Sequence, residues 1–302
     1  MSSLNVLVFN IPEVLREISK KNTDSDITIH SRKDGDLITT FLEPSRFPEK
    51  LSSLTDCIYP ADYAIVGVDE IDRSFGEALM ALDLMGKTHG LMVASNEESA
   101  ERARKITKGT VLEKYEIYTG SPMGVVEKLI QFKPQREERG TLVIIDHFFQ
   151  VKSVGTVILG FVLSGKLSKH QKLFISGLNR EVQVRSIQMH DVDVDEAHSG
   201  SRVGAALKNV DADEIQRGMF LSDNLLKQGK EISGKVIFHS ALRKVPDGDF
   251  EIFVSDEMIY QRGQMVSGKM VLDRPIPLVN ERLLFSNPNL SPRILGKMEI
   301  GK

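Results

Sequence analysis

Cysteine is nearly absent from this sequence, and so are long apolar runs. The single cysteine, Cys57, excludes an internal disulfide framework and a zinc site built from several cysteines. No stretch approaches the ~18 consecutive apolar residues that a membrane-spanning helix needs. The apolar run from Leu4 to Phe9 has no basic leader before it, so we expect no signal peptide, no membrane partner and a cytoplasmic location.

The chain also lacks a strong excess of charge of either sign. Its formal net charge is −3 over 302 residues, which argues against a simple polyanion binder, and we expect no DNA partner. Acidic residues are in excess over residues 1–134, whereas the remainder is slightly basic. A slightly basic second part is compatible with contact to RNA but does not demand it.

Strands alternate with helices over the first part of the chain. Four apolar runs predict buried strands: Leu4–Phe9, Thr39–Leu42, Ala64–Val68 and Leu91–Ala94. Helix signals predict helices at four places: Glu13–Lys20, Ser74–Met85 with Gly86 closing it, after a capping box at Ser95 and Glu98, and after Ser121-Pro122. This alternation predicts a parallel sheet with helices on its faces.

The pattern changes after a polar segment, Lys133–Gly140, which we interpret as a linker. Beyond it, short β-prone runs are punctuated by glycines, which is typical of β-barrels. A second polar break, Lys227–Gly234, precedes another series of strands. The sequence therefore predicts an α/β domain over residues 1–134, a β-barrel over residues 135–225 and a second β-barrel over residues 226–302.

The segment after the linker carries a specific pattern. Residues 145–157 read IDHFFQVKSVGTV, and this resembles the opening of the second domain of elongation factor Tu-type translation factors. The resemblance continues through Gly200–Gly218, and Asp146-His147 is closest to the selenocysteine-specific elongation factors. It implies the three-domain architecture of that superfamily, in which a G-domain-like parallel sheet is followed by two all-β barrels.

The resemblance implies a GTP-binding first domain, but the phosphate-binding loop is missing. A P-loop reads G-x-x-x-x-G-K-[ST], because glycine amides wrap the phosphates, lysine reaches the outer ones and the hydroxyl holds magnesium. Here the first strand is followed by Asn10, Ile11, Pro12 and Glu13. Proline removes a donor, and glutamate adds negative charge where the phosphates would lie.

The other nucleotide motifs are missing as well. The position of the switch II Asp-x-x-Gly motif begins with Glu43 and Pro44 and contains no glycine. The position of the guanine-reading Asn-Lys-x-Asp motif is Ser95-Asn-Glu-Glu98. We therefore interpret Asn10–Glu13, Glu43 and Pro44 as a degenerate nucleotide site, and we predict a pseudo-GTPase with no catalytic residues.

The resemblance also implies an aminoacyl pocket in the second domain. The matching positions are Asp146, His147 and Arg202. An arginine fork and an imidazole can stabilise an anionic side chain, and a carboxylate can orient the imidazole. A plainer interpretation is also open, in which Asp146 and Arg202 form a salt bridge between strands and His147 caps the end of the barrel.

The sequence thus predicts a translation factor-like protein that binds tRNA, the ribosome or translation proteins through its barrels. No metal and no cofactor are expected, and GTP with magnesium would bind only if the altered site still holds them. Two alternatives stay open, namely a divergent but active GTP-binding elongation factor and a protein–protein scaffold. Loss of the nucleotide switch further predicts one fixed arrangement of the domains.

Overall fold

A computed structural model describes residues 2–136 and 140–301. Three seven-strand sheets follow one another along the chain, and we call the parts built on them domains 1, 2 and 3. The predicted linker Lys133–Gly140 includes residues 137–139, which lie outside the described residues.

Domain 1 contains a seven-strand sheet in the order β2-β3-β4-β1-β5-β6-β7. Its strands are β1 (Ser2–Phe9), β2 (Lys20–Asp24), β3 (Thr28–Asp34), β4 (Leu37–Glu43), β5 (Tyr63–Gly67), β6 (Gly90–Val93) and β7 (Glu116–Tyr118). The strands from β4 to β7 in this order run parallel, which confirms the predicted sheet. Two antiparallel strands, β2 and β3, extend one edge and were not predicted, because their sequences are largely polar.

Helices cover both faces of this sheet. They are α1 (Pro12–Ile18), α2 (Leu51–Ile58), α3 (Arg73–Met85), α4 (Glu97–Ile106) and α5 (Pro122–Gln131), with a short 3-10 helix at Val111–Lys114. Helices α1 and α5 pack on one face, and α2, α3 and α4 pack on the other. No helix in the described residues is both long enough and apolar enough to cross a membrane.

The end of α3 and the start of α4 can be compared with the signals in their local sequences. Gly86 closes α3 at φ 68°, in the left-handed region that glycine enters without strain, as predicted. The predicted capping box at Ser95 is wrong, because Asn96 caps α4 by accepting a hydrogen bond from the Ser99 amide. The Ser95 hydroxyl donates instead to Asp69, which follows β5.

Domain 2 is a closed barrel. Its strands are β8 (Leu142–Val151), β9 (Gly155–Ser164), β10 (Lys166–Ser168), β11 (Lys172–Ile175), β12 (Arg180–Met189), β13 (Val192–Val194), β14 (Glu196–His198), β15 (Arg202–Lys208) and β16 (Phe220–Ser222), with a 3-10 helix at Ala212–Glu214. Six of them run in the order β11-β16-β8-β9-β15-β12, and the pairing of β12 with β11 closes the ring.

Domain 3 is a half-barrel, and it takes the place of the second of the two β-barrel domains that the sequence predicts. Its strands are β17 (Gln228–Ile232), β18 (Lys235–Phe238), β19 (Phe250–Asp256), β20 (Ile259–Val266), β21 (Lys269–Pro277), β22 (Arg282–Ser286) and β23 (Ile294–Glu299). They form an open sheet in the order β17-β21-β20-β19-β22-β23-β18. Closure depends on pairing between distant strands, and the alternation of short strands with turns does not encode it.

The largest apolar core of domain 1 continues into both other domains. Buried side chains from domains 2 and 3 join the cluster under α2 and α3: Ile144, Phe161, Phe220, Met258, Leu284 and Ile294. The hydroxyl of Tyr59, at the end of α2, donates to the carbonyl of Ser255 in domain 3. Burial of apolar surface is the main favourable term in such association, so the domains stabilise one another.

A buried ion pair joins domain 1 to domain 3. The carboxylate of Glu77 on α3 is 1% exposed and accepts from the Nε of Arg293 at 3.0 and 3.1 Å. Glu77 also accepts from the Arg293 amide at 2.9 Å, and the Arg293 Nη1 donates to the carbonyl of Pro48 at 2.6 Å. Both charged groups are therefore paired and hydrogen-bonded at the interface.

We predict that Glu77→Gln lowers the free energy of unfolding by about 3 kcal/mol, because it leaves the Arg293 charge at a buried site without its counterion. Urea unfolding followed by circular dichroism measures the change. Glu97→Gln, which removes one partner of the exposed pair with Arg104, is the matched control and should leave the midpoint nearly unchanged. Equal effects of the two substitutions would contradict a role for the buried pair.

Candidate functional site

The connection between β1 and α1 is only two residues long. Asn10 adopts φ 59°, Ile11 is 7% exposed and packs into the core beside α1, and the helix begins at Pro12. The carbonyl of Asn10 lies against Gly67 of β5, where an added Cβ would be 2.1 Å from its oxygen. The chain itself therefore fills the space at the carboxyl end of β1.

Guanine nucleotide with magnesium is the group that the fold implies, and these residues do not fit it. A phosphate cradle needs a loop with several free amides, a lysine and a hydroxyl. Ile11 is instead a buried apolar anchor, Pro12 has no N–H, and the exposed Glu13 adds a carboxylate.

The remaining predicted positions of this site lie on the neighbouring strand β4. The Glu43 Oε2 lies 3.2 Å from the Nε2 of the buried His30 on β3, so its carboxylate has an internal partner. Pro44 follows in a turn that the Phe47 amide closes by donating to the Pro44 carbonyl. The six predicted residues thus lie at the carboxyl ends of the neighbouring strands β1 and β4.

The three predicted pocket residues meet in domain 2. A bulge in β8 between Ile145 and His147 takes Asp146 out of the regular pairing with β9. The Asp146 Oδ2 accepts from the Arg202 Nη1 at 3.1 Å, and the His147 Nδ1 lies 2.9 Å from the same oxygen. The Asp146 carboxylate is 1% exposed, whereas the imidazole of His147 is 38% exposed.

Arg202 is held in place by charge and by an aromatic ring. Its guanidinium lies 5.0 Å from the ring centroid of Phe161, which favours a cation. Burial lowers the pKa of Arg202, and the Asp146 carboxylate opposes this effect. The Arg202 Nη2 is buried and has no hydrogen-bond partner in the described part of the chain. Arg202 also lines a pocket that Ser31 and Thr40 of domain 1 share.

The electrostatics keep Asp146 ionised. Burial alone would raise the pKa of this carboxyl, but the contacts with His147 and the charge of Arg202 lower it below its ordinary value. The salt bridge of the plainer interpretation is thus present. It coexists with a partly exposed imidazole and with a buried guanidinium nitrogen that has no hydrogen-bond partner among the described residues.

Arg217 was not among the residues predicted from the sequence, yet it lies beside Asp146. Its Nη1 donates to both carboxylate oxygens of Asp26, at 2.9 and 2.7 Å, and its Nη2 donates to Asp56 at 3.0 Å. Its Nε lies 3.6 Å from the Asp146 Oδ1. The available signal was its place next to Gly218, at the end of the segment that carries the family resemblance.

Residues 155–222 match the family Elongation factor Tu domain 2. The uncharacterized protein MJ0325 of Methanocaldococcus jannaschii is 36% identical over 304 residues, which cover 98% of this chain and 99% of that protein. The selenocysteine-specific elongation factor of the same organism is 32% identical over 183 residues, 53% of this chain and 39% of that factor.

The chain belongs to the elongation factor Tu-type superfamily. Within it, the chain is close to the selenocysteine-specific factors. The crystal structure of elongation factor SelB from Methanococcus maripaludis with the GTP analogue GppNHp superposes with a TM-score of 0.82 at 20% identity. That likeness covers 100% of this chain and 80% of SelB, and it shows a shared three-domain fold.

Among residues 2–136 and 140–301, no three His, Cys, Asp or Glu side chains are grouped so that they could hold a metal ion. Cys57 is completely buried in α2, and burial raises the pKa of its thiol.

Asp56 is the more buried of the two domain 1 acids that bind Arg217. It is 3% exposed, and its Oδ1 has no hydrogen-bond partner within the described residues. Burial raises the pKa of this carboxyl to about 8, although the charge of Arg217 opposes the rise. A raised carboxyl pKa means that the folded state binds the proton more tightly than the unfolded state does. The stabilisation is therefore complete below pH ~4 and is lost as the pH rises towards 8.

We predict that Asp56→Asn removes this pH dependence. The variant should gain stability relative to the parent by about 1 kcal/mol per pH unit between pH 4 and 8, as measured by urea unfolding. Asp69→Asn is the control with the opposite sign. Burial would raise the pKa of Asp69, but its hydrogen bonds from Ser95 lower it, so the variant should lose stability above pH ~4. A constant difference for Asp56→Asn from pH 5 to 8 would contradict the raised pKa.

Proposed function

We propose that this chain is a translation-associated, RNA-binding relative of the selenocysteine-specific elongation factors that works without a GTP switch. The two-residue connection through Asn10 and Ile11 is the observation that carries the first half of the proposal. A triphosphate has no ring of amides, no ammonium and no hydroxyl to bind there.

The second half of the proposal is recognition of an aminoacyl group on RNA by Asp146, His147 and Arg202. One carboxylate oxygen of Asp146 contacts both the Arg202 guanidinium and the His147 imidazole, and these contacts orient the two groups. A guanidinium with an unpaired nitrogen favours an anionic or strongly polar acyl side chain, and the imidazole adds a second polar group.

Domain 1 has a structural role in this proposal. Its apolar core is continuous with those of domains 2 and 3, and it supplies one wall of the pocket that Arg202 lines. The partners that we propose are tRNA, the ribosome and other translation proteins in the cytoplasm. The names of the relatives support translation as the setting.

We predict no saturable heat of GTP binding in isothermal titration calorimetry with magnesium, up to a nucleotide concentration of about 1 mM. The Glu13→Gln variant separates loop length from charge. We expect it to bind no better than the parent, because removing a carboxylate does not lengthen the connection. Magnesium-dependent binding at micromolar concentration would contradict this half of the proposal and favour a divergent GTP-binding factor.

We predict that the chain prefers aminoacylated over deacylated tRNA in filter binding, and that Arg202→Ala reduces this preference about 10-fold, as expected for loss of a charge-assisted hydrogen bond. Arg185→Ala is the matched control, because Arg185 is an exposed arginine on β12 of the same barrel and donates to the carbonyl of Val154.

Absence of any preference for charged tRNA would remove the acyl-pocket proposal. Recovery of translation proteins without RNA from a pull-down would then favour the scaffold alternative. An equal loss of preference in both arginine variants would show that general positive charge, and not Arg202, is responsible.

A further inference from the structure

Charged side chains of alternating sign link domain 1 to the proposed acyl site. Asp26 lies in the turn between β2 and β3, and Asp56 lies on α2. Both bind the guanidinium of Arg217, whose Nε faces the Asp146 Oδ1 at 3.6 Å. The other carboxylate oxygen of Asp146 binds Arg202 at 3.1 Å.

The backbone fixes Arg217 next to Asp146. The amide of Gly218 donates to the carbonyl of Ile145 at 2.9 Å, and the amide of Ile145 donates to the carbonyl of Met219 at 2.9 Å. Ile145, next to Asp146, makes both bonds with the two residues that follow Arg217, so they hold the backbones of Asp146 and Arg217 close together. What can change is how strongly the Arg217 guanidinium interacts with the acids of domain 1 and how strongly it interacts with Asp146.

The charged groups around Arg217 compete for its guanidinium. Asp26 also binds the Nζ of Lys50 at 2.6 Å, which draws part of its charge away from Arg217. The charges of Asp26, Asp56 and Asp146 together keep the pKa of Arg217 above its ordinary value, although burial opposes this. Arg217 is therefore a permanent cation that the Asp26 and Asp146 carboxylates share at neutral pH, and Asp56 adds its charge only as it ionises near pH 8.

We propose that Arg217 is a positioning residue through which the acids of domain 1 set how firmly Asp146 holds Arg202. This inference rests on the proposed function, because it concerns the regulation of the same acyl site. It gives domain 1 a role that needs no nucleotide. The acids of domain 1 change how strongly Asp146 binds Arg202, and therefore how available Arg202 is to an anionic ligand.

The alternating signs predict opposite effects for neighbouring substitutions. In Arg217→Gln, Asp146 loses one of its cations and holds Arg202 more tightly, so Arg202 becomes less available. In Asp26→Asn, Arg217 is shared by fewer acids and draws Asp146 away from Arg202, so Arg202 becomes more available. A purely structural role would move both variants in the same direction, because both lose an interdomain ion pair.

Two readouts test the inference on the full chain. The first is the preference for aminoacylated over deacylated tRNA, which should fall about 3-fold or more in Arg217→Gln and rise about 2-fold in Asp26→Asn. The second needs no RNA: it is the hydrogen-exchange rate of the Arg202 guanidinium, followed by NMR. This rate should fall in the first variant and rise in the second.

Each variant has a control that removes a charge of the same sign from an exposed ion pair. Arg180→Gln breaks the exposed pair with Glu214 on the same barrel, and Asp24→Asn breaks the exposed pair with Lys21 near the same turn. Neither should change the exchange rate of Arg202. Arg217→Lys keeps the charge and should restore most of the tRNA preference, which guards against a folding failure of the glutamine variant.

The outcomes separate this inference from the proposed function. Shifts of Arg202 exchange in the same direction in both variants, or in neither, would overturn the role of Arg217 even if charged tRNA is preferred. Opposite shifts without any preference for charged tRNA would support the role of Arg217 and overturn the acyl-site proposal.

Discussion

The packing of the β1–α1 connection against β5 is the constraint on which the account of this molecule depends. The Asn10 carbonyl occupies the place where a side chain on Gly67 would lie, and Ile11 is anchored in the core. A loop held this tightly has no slack to wrap a phosphate chain. Apolar clusters on both faces of the parallel sheet hold it to its helices, and burial of this kind needs no ligand.

Domain 1 makes apolar contacts and ion pairs with both domain 2 and domain 3. Apolar side chains from domains 2 and 3 complete its core, the Glu77–Arg293 pair holds domain 3, and Arg217 of domain 2 binds acids on two separate elements of domain 1. In nucleotide-driven switches, contacts to the γ-phosphate order the segments that move. Here, ion pairs and apolar contacts within the chain act at the domain boundaries, which is why we expect a single domain arrangement.

Local sequence patterns predicted the elements that depend on local causes. Apolar runs marked the buried strands β1 and β5, and Gly86 marked the end of α3. The missing nucleotide motifs could be located because each has a fixed position after a strand. The resemblance located Asp146, His147 and Arg202, which the structure brings within direct contact.

Features that depend on distant residues were beyond sequence reasoning. The polar strand β2 joins the sheet only through its pairing with β3. The sheet of domain 3 stays open because β17 and β18, the strands at its two ends, do not pair with each other in the described part of the chain. The contacts of Arg217 with Asp26 and Asp56 span 191 and 161 residues of chain, so no spacing rule could have revealed them.

A crystal structure determined with saturating GppNHp and magnesium tests the central claim most directly. We predict no nucleotide density against Asn10–Glu13 and the same arrangement of the three domains as described here. Density for a triphosphate seated at the end of β1, with Ile11 displaced from the core, would contradict the account.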